Sequence, residues 1–198
     1  MSSTESRANN RVGAELDTRD KLRLKVLATR TVRAIRIDEH GARLTALTDE
    51  GEANIPLDPG VNPARYFRAL RDYLSDMFLN LPGGYPAHIG RWTRMDSLHR
   101  EPGRLLLLGD SEAVVAVACS GALDARLAAD VWWCAQSMEI ALALLRHEDA
   151  PGWAVAPALA EYVLEFLPFE ESLATVTDAL GRILQPGLLD DDRVKALW

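Results

Sequence analysis

Cysteine is scarce in this chain: there are two, Cys119 and Cys134, too far apart to form a Cys-x-x-Cys redox pair or half of a zinc site. Nothing marks export to an oxidising compartment, so reduced, buried thiols are the expectation. Histidine is equally sparse. His40 falls in a turn, His88 and His99 in a long connection, and His147 near a helix C-terminus beside Glu148 and Asp149, where its charge suits the dipole. These positions gather no ligand set, and neither a metal nor any other cofactor is expected. The run Asp190, Asp191, Asp192 lacks the glycine and terminal glutamate of a calcium loop and reads as the cap of the last helix.

Long apolar runs are missing too. The best candidates, 105–108 and 113–119, are interrupted by Gly109, Asp110 and Glu112 well short of a bilayer span. Residues 1–16 show no apolar period and no hydrophobic segment of a secretory signal; they read as a disordered tail, and the expected compartment is the cytosol. Basic residues are lacking in one half only. The net charge of −7 divides into about +3 over residues 1–104 and −10 over 105–198, which carry five basic and fifteen acidic side chains. An anionic second half disfavours phosphate binding there, so any nucleic-acid contact would come from the first half.

What remains is ordinary globular composition, 48% apolar and 26% charged. Leu22, Leu24, Val26 and Leu27, preceded by Asp17, Thr18 and Asp20 as caps, fit a short helix better than a strand. Three runs at 32–38, 43–48 and 52–57, punctuated by Gly41 and Gly51, have the spacing of a β-meander. In the third, Ala53, Ile55 and Leu57 share a face while Glu52 and Asn54 point oppositely, giving a sheet with one wet side. Asn62 and Pro63 then open a helix to about Leu79. Its apolar face comprises Tyr66, Phe67, Leu70, Tyr73, Leu74, Met77 and Phe78, opposite Arg65, Arg68, Asp72, Ser75 and Asp76; it would cover the sheet.

A loop-rich connection spans 81–100. From residue 102 onward short helices follow at 104–108, 111–120, 124–135, 137–147, 153–167, 169–184 and 190–197. The stretch LLLLGDSEAVVAV resembles the inter-helix elbow of HEAT-like repeats, without a clean period. The expected fold is therefore α+β: a tail (1–16), a unit of meander plus helix (17–101), and an irregular HEAT-like helical stack (102–198) packed against it.

Candidate chemistry is thin. Cys119 ends an apolar helical run, and Cys134, after Trp132 and Trp133, reads chiefly as a small buried hydrophobe; exposed, it would be a reactive thiol suited to sulfur carriage. Gly83 and Gly84 have no following Lys-Ser/Thr, so they form a turn displaying Tyr85 rather than a phosphate loop. Arg91, Trp92 and Arg94 could stack on bases and pair with phosphates, or seat a domain joint; the neighbouring acidic half favours the joint. Glu161 and Glu165 offer an acidic helical surface, and Trp132 and Trp133 are interface anchors or core.

The strings PGGYP (82–86), RWTRM (91–95), AEYVLEFLPFE (160–170) and LQPGL (184–188), with the terminal Leu197 and Trp198, resemble the DsrS proteins encoded in dissimilatory sulfite reductase gene clusters of sulfur-oxidising bacteria. The likeness runs from about residue 18 to the end; Asp96 stands where that family has glycine after RWTRM. It implies a cytoplasmic accessory protein of sulfur oxidation and transfers no catalytic residue. Three readings follow: a non-enzymatic accessory protein working through a protein partner, an RNA-binding regulator using Arg91, Trp92 and Arg94, and a sulfur carrier using Cys134.

Overall fold

A computed structural model describes residues 16–79 and 101–196. Gly83, Gly84, Tyr85, Arg91, Trp92 and Arg94 lie outside the described residues, as do residues 1–15 and the final two.

The sheet is the expected meander: β1 (Val32–Asp38), β2 (Arg43–Thr48) and β3 (Gly51–Pro56) pair antiparallel in the order β1-β2-β3. Cα partners such as Ile35 with Ala46 and Ala46 with Ala53 put Ile35, Ala46 and Ala53 on one face. Two helices pack there, α1 (Thr18–Leu27) and α2 (Pro63–Leu79). Leu24 and Leu27 of α1 and Phe67, Leu70 and Leu74 of α2 bury with Ile35, Leu44, Ala46 and Ile55. Side chains of this size contribute ~1.5–3 kcal/mol each when fully removed from water. Leu16, assigned to the tail from sequence, is buried in this same cluster, because the chain entering α1 still lies against the core. Asp20, expected as a cap, is instead buried inside the first unit. It accepts a 2.5 Å hydrogen bond from the Tyr66 hydroxyl and a 3.2 Å one from Arg23, tying α1 to α2.

The other face is covered in part: Glu52 and Asn54 are exposed, as their alternation predicts, while Ala34 and Thr45 are buried. β1 carries a bulge at Arg33, where the register shifts between Val32 and Ala34. An extra residue there re-aims a side chain out of the ladder, and Arg33 reaches a bidentate pair with Asp130. Asp130 belongs to α4 (Ala125–Cys134), which packs against β1 and sets Trp133 over Arg36 and Glu52. Glu52 therefore accepts from a tryptophan while remaining exposed to solvent. The partial cover on β1 comes from a distant helix, Arg33 pairing with Asp130 across ninety-seven positions.

The second half is an irregular helical stack. A 3-10 helix, Pro102–Leu108, opens it, with Leu105, Leu106, Leu107 and Leu108 all buried and β1, α2, α3 and α4 packed around it. Four consecutive buried leucines suit a segment surrounded on every side rather than an amphipathic helix. Ser75 of α2, placed on a polar face by helical periodicity, is buried; α2 packs against 102–108 as well as the sheet. Gly109 then adopts φ 61°, and Asp110 caps α3 (Ser111–Ala118) by accepting from the backbone N–H groups of Glu112 and Ala113. Asp124 and Ser137 cap α4 and α5 (Met138–Leu144) in the same way. His147 contacts the carbonyl of Ala118 at 3.1 Å, closing the C-terminus of α3.

A 3-10 turn, Ala150–Gly152, leads to α6 (Ala156–Phe166), whose Pro157 occupies the first turn, where its missing N–H is harmless. α6 runs into a second turn, Leu167–Phe169, before α7 (Leu173–Ile183) and α8 (Asp191–Ala196). The helix expected from residue 169 begins at 173, because Ser172 accepts from the Thr175 N–H and sets the cap there. Among the described residues no helix is long and apolar enough to cross a membrane.

Candidate functional site

Three of the sequence-derived candidates meet in one place. Trp132, Glu161 and Glu165 line an open groove of about 610 Å³ between the C-terminal end of α4, the outer side of α6 and α8. Gln136, Tyr162 and Arg193 complete its working surface. Helical spacing explains the arrangement. Glu161 and Glu165 stand one turn apart on α6, Tyr162 and Phe166 form a parallel row beside them, and Val163 and Ala160 face the core.

The aromatic row is ordered. Trp132 meets Tyr162 edge-on, with centroids 5.1 Å apart and planes at 83°; Tyr162 stacks on Phe166 at 4.5 Å, and Phe166 lies 6.4 Å from Phe169. The Tyr162 hydroxyl donates to the carbonyl of Gln136 at 3.1 Å, which fixes the ring against α4. Edge-on and offset geometries are those that aromatic quadrupoles favour, adding ~0.5–1.5 kcal/mol per pair beyond area burial. The row leads outward. Trp132 is 8% exposed, Phe166 40% and Phe169 80%, and Leu173 beyond it is 79% exposed.

The rim is charged. Glu161 pairs with Arg193 at 3.3 Å, both side chains being about half exposed. Glu165 makes no ion pair among the described residues. Exposed pairs of this kind are worth only ~0.2–1 kcal/mol, so Arg193 is a displaceable occupant of the rim.

Trp133 points elsewhere. Its indole Nε1 donates to Glu52 at 2.7 Å, its carbonyl accepts from Arg36 at 3.2 Å, and the Arg36 guanidinium sits 4.7 Å from the ring centroid. With the Arg33–Asp130 pair and a 2.7 Å contact between Arg126 and Asp49, this makes a polar joint between α4 and the sheet. Trp133 is thus a joint residue, and its neighbour Trp132 the groove residue.

Cys134 is buried on α4, and its thiol is pushed up to about 12 by burial first and by the charge of Asp130 second. At neutral pH it is protonated, the opposite of what a sulfur-transfer nucleophile requires. Cys119, by contrast, is exposed. No group of histidine, cysteine and carboxylate side chains suited to a metal ion occurs among the described residues.

Sequence reasoning missed Tyr162, Phe166, Phe169 and Arg193. The signal for the first two was present: an aromatic pair at i, i+4 directly beside a glutamate pair at i, i+4 marks two stripes on one exposed helix face. No protein family, curated protein or solved structure matches the chain.

Proposed function

We propose that this chain is a non-enzymatic, cytoplasmic accessory or regulatory protein that works by docking a protein partner in the groove over α6. The observation that carries the reading is the ordered row from Trp132 through Tyr162 and Phe166 to Phe169, which begins at the core and ends in side chains exposed to water. Rigid aromatic anchors in a partly desolvated groove, ringed by charge, are the composition of interface hot spots. Isolated exposed apolar residues are commonplace; a connected row leading out of a groove is not.

The role in bacterial sulfur oxidation rests on the resemblance. Its longest string, residues 160–170, contributes Glu161, Tyr162 and Glu165 to the groove and Phe166 and Phe169 to the aromatic row leading out of it. The sulfur-carrier reading loses support from the buried, protonated Cys134.

The test is affinity capture from a sulfur-oxidising host lysate, with and without ribonuclease, using wild type and a Phe166→Ala/Phe169→Ala double variant, followed by reconstitution from purified components. A ribonuclease-resistant partner that binds wild type directly and is lost with the double variant supports the reading. A partner retained by the double variant, or RNA recovered only without ribonuclease, contradicts it.

A further inference from the structure

Resting on that reading, we infer that the segment this groove receives is cationic and amphipathic: a partner helix or extended peptide that lays an apolar residue on Tyr162 and Phe166 and an arginine or lysine against Glu161 and Glu165. The groove already displays the recognition it performs. Arg193 reaches across from α8 and sets its guanidinium 3.3 Å from Glu161. It acts as an internal stand-in for the partner's cation. Glu165, one turn further along α6, has no such cation among the described residues and is exposed.

Charge selects the occupant among the alternatives. Residues 105–198 carry a net charge of about −10, and the potential of such a surface draws in cationic segments while repelling nucleic acid and acidic peptides. A second copy docked symmetrically through the same face would set two net-anionic surfaces against each other. The groove's length along α6 and its apolar row suit the helix-in-groove mode, in which anchors at helical spacing supply affinity and flanking charges set specificity.

Arg193 then becomes a competitor. Because its pair with Glu161 is half exposed, its displacement costs little. Removing it would free Glu161 and leave both carboxylates open to the partner.

The test uses the full chain and three series of fluorescently labelled amphipathic peptides with one shared leucine and phenylalanine stripe, carrying arginine, glutamine or glutamate at the flanking positions. Binding is followed by anisotropy and mapped by NMR on the Trp132 indole. The expected result is preference for the arginine series, weakening with salt, about fivefold weaker binding to Glu161→Gln/Glu165→Gln and about twofold tighter binding to Arg193→Ala. Thermal melts confirm that each variant is folded. Equal binding of all three series at the Trp132 indole overturns the cationic-partner inference while leaving the groove as a docking site. Binding that leaves the indole unperturbed, or no binding by any series, overturns both. Self-association abolished by Phe169→Ala, in place of peptide binding, assigns the groove to a second copy and overturns the inference.

Discussion

Arg36 of β1 lies over the indole of Trp133 on α4, 4.7 Å from the ring centroid, while donating to that residue's carbonyl. The contact joins the sheet to the helical half across ninety-seven positions of sequence. It also separates two adjacent tryptophans by role. With Trp133 held against the sheet, the helix turn aims Trp132 at α6, so the joint orients the groove.

The conservative substitution isolates the polar part of that joint. Trp133→Phe keeps a ring beneath Arg36 and loses the indole N–H donated to Glu52, and is expected to cost ~1 kcal/mol. Trp133→Ala removes the ring as well and is expected to cost about 3 kcal/mol. Urea unfolding of both variants checks the order; equal losses would show that the ring contributes nothing.

The Arg33–Asp130 pair gives a pH dependence. Burial raises the Asp130 carboxyl above its ordinary range, with Arg33 opposing that rise. A carboxyl raised in the folded state contributes stability at low pH that is lost as pH climbs through the folded value. Arg33→Ala removes the opposing cation, so the raise grows and more stability is lost at neutral pH. The variant's deficit is therefore expected at about 3 kcal/mol near pH 7 and smaller near pH 3, below the ordinary carboxyl value, where a raised carboxyl holds its proton. Chemical denaturation at the two pH values measures it, and a pH-independent deficit would contradict the assignment.

Gly109 should tolerate no side chain. Its φ is 61°, and a Cβ there would stand 2.7 Å from Ile37 Cδ1 and Cγ1. Left-handed backbone and overpacking act together, and Gly109→Ala is expected to cost about 2–4 kcal/mol in urea unfolding. Gly121→Ala, with open space around its Cβ position, serves as the control.

The two thiols should react on different timescales. Exposed Cys119 is expected to modify rapidly in the folded protein, and buried Cys134 only as fast as the chain unfolds. Counting fast thiols in wild type and Cys119→Ser checks this: one and none are expected.

Local signals carried most of the fold. The strand limits at 32–38 and 43–48, the helix from Pro63 to Leu79 and the caps at Asp110, Asp124 and Ser137 follow from turn residues, periodicity and hydrogen-bonding side chains within a few positions. What stayed hidden depends on distant partners. Glu52 is the solvent-facing residue its alternation predicts, but nothing near it in sequence says that the Trp133 indole will donate to it. Asp20 looked like a cap because its partner, Tyr66, lies forty-six positions away. For the site, charge and residue type found Trp132, Glu161 and Glu165, whereas Arg193 enters only when α8 folds back against α6.

The groove's role is tested most directly by hydrogen exchange on the captured complex against the free chain. Slowed exchange is expected to concentrate in 156–169 and around Trp132 and Gln136, with the sheet unchanged. Protection confined to the sheet or to α1, with α6 exchanging as in the free chain, would contradict it.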